Sequence, residues 1–147
     1  MIVTDPAETE NRDAPADLAD AARWNGVLFA SRAQECNRSD ESQAAMNICA
    51  YEDYATADSK LNQIYSEIVK RLGDSSDHKK LLQAAQRAWI AFRDAECAFA
   101  NSGSEDGSIY PMLMSQCLER LAAARTTQLQ GYLECEEGDM SCPVAPQ

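Results

Sequence analysis

The chain has one histidine, no CxxC pair, no glycine-rich phosphate loop and far fewer bases than acids. It also lacks any apolar run near the roughly eighteen residues that cross a bilayer, which excludes a transmembrane helix. A lone histidine, His78, with no nucleophile beside a base leaves acid–base and covalent catalysis without parts. The sequence therefore reads as a non-enzyme that needs no cofactor. A net charge of −11 excludes nucleic-acid binding, because phosphate contacts demand clustered Lys and Arg. No stretch alternates apolar and polar residues with β-branched enrichment, so strands are not expected. The first ten residues, Met1 to Glu10, have neither a basic nor a hydrophobic segment. If the protein is exported, its signal has been removed or lies outside this sequence.

The acidity is concentrated at the ends. Residues 1–35 carry seven acids and three bases, and residues 134–147 carry four acids and no base. Such tails keep a protein soluble and can attract a cationic partner.

Six cysteines are present: Cys36, Cys49, Cys97, Cys117, Cys135 and Cys142. Zinc sites want ligands two to four residues apart, and these spacings do not provide them. Three disulfides in an oxidising compartment remain. Pairing of sequence neighbours, Cys36–Cys49, Cys97–Cys117 and Cys135–Cys142, is the expected arrangement. Each loop of that size contributes roughly 2–3 kcal/mol when unstrained.

The remaining pattern is helical. Residues 1–14 read as a disordered segment, 15–133 as a single helical domain and 134–147 as an acidic, disulfide-looped tail. From Pro15 an N-terminal helix is expected, with Leu18, Ala21, Ala22, Leu28 and Phe29 at three- and four-residue steps. Asp40 and Gln43 resemble a capping box at the start of the next helix. There Met46, Cys49, Tyr54, Ala57, Leu61, Ile64, Tyr65, Ile68 and Leu72 form one stripe, which Gly73 ends. A second long helix is expected over 77–100, with Leu81, Ala85, Ala88, Trp89, Phe92, Ala95 and Phe99 inward. After a loop, Ser108 is placed to cap a third helix that carries Pro111 in its first turn and runs to about Tyr132. Short connections favour antiparallel neighbours. The expected fold is thus all-α, a disulfide-stapled antiparallel bundle of three long helices plus the N-terminal one. In that arrangement the Cys135–Cys142 loop need not touch the core.

Charged residues interrupt the buried stripes. Asp58 lies between Tyr54 and Leu61, Arg93 adjoins Trp89, and Arg125 sits four residues from both Leu121 and Leu129. A lone buried charge costs several kcal/mol, about the effective penalty per ion, so these groups should pair. Asp58 is expected to accept from Arg93 or Arg125, with Asn62 and Gln86 completing a polar layer. The catalytic alternative, Asp58 acting with Glu52 or Asp53, lacks further machinery. Tyr51, Tyr110 and Tyr132 are candidate surface contacts, since tyrosine is enriched at interfaces.

Two strings carry a resemblance. Cys49-x4-Tyr54-x3-Asp58-x2-Leu61-Asn62-x2-Tyr65 is followed by Leu82-x3-Gln86-x2-Trp89-Ile90-x2-Arg93-Asp94-x2-Cys97, then Gly107-Ser108-Ile109, Cys117 and Arg125. Over residues 36–129 the chain resembles the LprI-like lysozyme-inhibitor family. It departs at Ala122, where the family often has threonine, and Cys135 and Cys142 lie beyond the matched region. The resemblance implies a bacterial envelope or secreted protein with a helical disulfide-bonded fold and, for at least one member, inhibition of lysozyme. Cys36 heads no lipobox, since Ala33-Gln34-Glu35 is too polar.

The leading expectation is a periplasmic or secreted binding protein that blocks lysozyme or a related peptidoglycan-cleaving enzyme. The alternative is an envelope interaction protein, a secretion-system accessory or immunity factor, with another partner. For a cationic lysozyme, the projection best suited to its cleft is the loop 101–110. Glu105 and Asp106 would face its basic rim, and Tyr110 would add apolar contact.

Overall fold

The computed structural model describes residues 35–146, together with the dipeptides at 23–24 and 27–28. Three long helices make the domain: α1 (Gln43–Leu72), α2 (Ser76–Ala100) and α3 (Tyr110–Leu133). Ser42, not the Asp40/Gln43 pair, caps α1. Its Oγ accepts from the Ala45 amide at 3.2 Å, while Asp40 Oδ1 accepts from the Ser42 amide at 2.8 Å. Gln43 is drawn away to Asn47, at 2.9 Å, so no capping box closes. Gly73 ends α1 at φ 55°, in the left-handed region that a side chain strains to enter. Pro111 lies in the first turn of α3, but that helix starts beyond Ser108, whose carbonyl instead accepts from Asn47 Nδ2 at 3.0 Å.

The closest packing joins α1 and α3, which run parallel, whereas α2 meets both more sparsely. Gln43 reaches Met112 at one end, and Arg71 donates to the Leu133 carbonyl at the other, so the two helices stay in register along their length. Tyr54, Leu61 and Ile68 from α1 pack with Met114, Leu118, Ala122 and Leu129 from α3 to form the core. Ala122 is fully buried, and its small side chain lets the two backbones approach closely. Helix α2 returns antiparallel between them in sequence and lies to one side.

That placement overturns the expected inward face of α2. Leu81, Phe92 and Phe99 are 68%, 54% and 78% exposed, and Ala85, Ala88 and Ala95 are also exposed. The buried residues of α2 are Gln86, Arg93 and Cys97, with Leu82 and Trp89 partly buried against the core. Periodicity identified an apolar face. It could not tell that the neighbouring face, carrying the polar groups, meets α1 and α3.

Two further expectations are corrected. Within the segment expected to form an N-terminal helix, Arg23–Trp24 and Val27–Leu28 instead pair as a two-residue antiparallel ladder. The rest of that expected helix, and the segment 1–14, lie outside the described residues. The tail does touch the core: beyond the Cys135–Cys142 bond, Val144 is buried among the core side chains.

The disulfides join Cys36 to Cys49, Cys97 to Cys117 and Cys135 to Cys142. The first ties the incoming segment to α1, and the second ties α2 to α3 across their hairpin. Among the described residues no helix is long and apolar enough to cross a membrane.

Candidate functional site

Two regions concentrate polar groups, one inside the bundle and one at its end. Inside, Asp58 from α1 faces Arg93 from α2, with Oδ1 and Nη1 3.7 Å apart and both side chains buried. Asn62, one turn along α1, donates to Asp58 Oδ2 at 3.2 Å. Arg93 also donates to the Tyr54 hydroxyl at 3.2 Å and to Asp94 Oδ1 at 2.8 Å. Of the two arginines open to Asp58, the structure thus brings Arg93 to it. Arg125 goes elsewhere, donating to Gln86 Oε1 at 3.1 Å and to Gln128 Oε1 at 2.5 Å.

Trp89 holds the two halves of this layer together. The Arg93 guanidinium lies 5.4 Å from its ring and that of Arg125 lies 6.0 Å away. Each cation gains from the ring's negative face, a favourable term in a site with little water. Burial pushes the Tyr54 phenol far above the ordinary tyrosine range; Arg93 opposes this and Asp58 adds to it. Burial likewise lowers the Arg125 pKa from its ordinary value.

This layer ties α1, α2 and α3 together through paired polar side chains. Glu52 and Asp53, the carboxylates weighed as partners of Asp58, lie on other faces of α1. Glu52 accepts from the Cys36 amide at 2.9 Å, and Asp53 takes a two-pronged contact from Arg38. Both serve to pin the incoming segment beside the first disulfide.

The second region is the connection between α2 and α3. Three consecutive turns form it, with Ser104 donating to Asn101, Gly107 to Ser104 and Tyr110 to Gly107 at 2.9–3.1 Å. A short 3₁₀ helix, Ser102–Ser104, occupies part of what reads in sequence as plain loop. Space is tight at Gly107, where a Cβ would stand 3.3 Å from the Ser104 carbonyl oxygen and press on that turn. Asn101 Nδ2 adds a tie to the Cys97 carbonyl at 2.9 Å. The connection is therefore rigid as well as disulfide-anchored.

Glu105 and Asp106 are exposed on it, as are Phe99 before it and Ile109 after it. Tyr110 is not at the surface. It is 8% exposed and belongs to the core, and burial followed by the nearby Glu105 charge raises its phenol pKa. Tyr51 and Tyr132 are half-buried against the same core. The apolar side chains at the surface here are Phe99 and Ile109, which the sequence reading placed inward or passed over. The two glycines and run of polar residues between them signalled a loop, but nothing signalled which neighbours it would leave uncovered.

The chain is 40% identical over 107 residues to the uncharacterized protein R02472 of Rhizobium meliloti (strain 1021), covering 65% of this chain and 77% of the relative. It is 29% identical over 117 residues to the uncharacterized protein YecT of Escherichia coli (strain K12), covering 71% and 72%. No solved structure matches it. The family model described as lysozyme inhibitor LprI matches residues 33–129, a span that takes in the whole polar layer and the α2–α3 connection. On that match, the chain belongs to the LprI lysozyme-inhibitor family.

Proposed function

We propose that the protein is an extracytoplasmic inhibitor of lysozyme or a related peptidoglycan-cleaving enzyme, acting through the α2–α3 connection. Three disulfides and the family membership support a periplasmic or secreted setting. The observation that carries the site is the exposure of Glu105 and Asp106 beside Phe99 and Ile109 on a rigid, disulfide-tethered turn. An aromatic anchor can fill a cleft while acids meet a basic rim, and a preformed backbone keeps the ordering cost low. The overall negative charge speeds encounter with a cationic enzyme. Tyr110 supports the turn from beneath instead of contacting the partner.

Turbidity assays against several lysozymes test this. Micromolar protein is expected to inhibit at low salt and to weaken as salt rises, and Glu105→Lys with Asp106→Lys to lose at least tenfold in potency. Absence of inhibition by the unaltered protein against all of them overturns the reading.

A second reading is favoured by a separate observation, the exposed Leu81 and Phe92 along α2. An envelope interaction protein with a non-lysozyme partner would use that apolar face. Recovery of a non-lytic partner from periplasmic extract, lost on Phe92→Glu, supports this reading over the first.

A further inference from the structure

At the opposite end of the bundle from the acidic turn, a half-open cavity of about 190 Å³ lies between the three helices and the tail. Ile68 and Leu72 of α1, Leu82 and Ala85 of α2, and Val144 of the tail give it apolar walls. Arg125 also lines it, and the circumstances of that residue are unusual. The residue is 8% exposed overall, yet among the described residues no carboxylate pairs with it. Its hydrogen-bond partners are the neutral amides Gln86 and Gln128, which take Nε and Nη1. Nη2 has no such partner among those residues and keeps an edge open to solvent. With no carboxylate on this mostly buried cation, an anion that reaches its open edge gains a charge-assisted hydrogen bond.

We propose that this cavity binds a single-chain amphiphile with a carboxylate head, the head on Arg125 and the acyl chain along Ile68, Leu82 and Val144. One guanidinium with two of its donors already engaged matches one negative charge better than the double charge of a phosphate monoester. The volume holds roughly six groups of about 30 Å³ each, the share one water takes in the liquid. A short chain is therefore enclosed, and a longer one leaves through the open side past Leu81 and His78. The Cys135–Cys142 bond matters here because it fixes the segment that carries Val144 and closes one wall. This site is separate from the α2–α3 connection, so neither reading depends on the other.

Calorimetric titration of the full chain with octanoate tests it, using octanol and octylamine as head-group controls and butyrate as the short-chain control. Octanoate is expected to bind saturably, one per chain, at least tenfold tighter than each control. Arg125→Gln should abolish the preference for octanoate over octanol, and Ala85→Trp, which crowds the cavity from an exposed position, should weaken both. If octanoate binds no better than octanol, or octyl phosphate binds tighter than octanoate, the assignment is wrong. The head-group series on the unaltered protein decides the matter even if Arg125→Gln fails to fold.

Discussion

Tyr54 shows how much a single buried hydroxyl can report. Its phenol accepts from Arg93 and is 1% exposed, so the folded protein holds the neutral form to far higher pH than the unfolded chain does. The unfolded chain releases that proton near the ordinary tyrosine value of about 10. Below that pH both states hold the proton and the contribution to stability is complete. Above it the unfolded state binds fewer protons, and stability falls by up to about 1.4 kcal/mol per pH unit for this one group. Urea unfolding at pH 8 to 11 should show this alkaline loss. Tyr54→Phe should reduce its slope, leaving the smaller shares of Tyr51 and Tyr110, whose phenols are also raised by burial. Part of this layer was legible in the sequence, because Asp58 and Arg125 fall on helical stripes of apolar residues, whereas Arg93 lies beside the stripe of α2. The choice between the two arginines was not legible. It depends on where α2 crosses α1, which no local spacing encodes.

Helix α2 behaves unlike its neighbours as an element. Helices α1 and α3 bury large apolar side chains against each other, while α2 buries Gln86, Arg93 and Cys97 and leaves Leu81, Phe92 and Phe99 outside. Its attachment is therefore polar and covalent more than hydrophobic. Elements with few buried apolar contacts open at lower free energy than the core around them. Hydrogen exchange should accordingly find the central amides of α2 exchanging at least tenfold faster than those near Leu61 and Ala122. Equal protection of all three helices would contradict this picture. The same feature explains why sequence patterning succeeded for α1 and failed for α2. In α1 the apolar stripe meets α3, so periodicity and burial agree. In α2 the apolar stripe is outward, and the residues that pack inward include an arginine and a glutamine that a hydrophobic pattern discounts.

For the whole molecule, covalent links set the limits of motion. Cys97–Cys117 spans 20 residues and holds the sparsely packed α2 to α3 near the acidic turn. A loop of that size stabilises by about 3 kcal/mol through the unfolded state. Replacing both cysteines by serine should lower the unfolding midpoint by that measure and also weaken lysozyme inhibition, because the projecting turn loses its anchor. A stability loss with full inhibition would separate the scaffold from the site. The pairing of neighbouring cysteines and the three-helix architecture could be anticipated from spacing and composition. The parallel contact of α1 with α3 could not, since it arises only once α2 has carried the chain back. One consequence of Trp89 standing between two guanidinium groups is practical. The chain has only two tryptophans, Trp24 and Trp89. Replacing Trp24 with phenylalanine would make indole fluorescence specific to the interior, turning emission into a direct optical signal of whether the three helices are assembled.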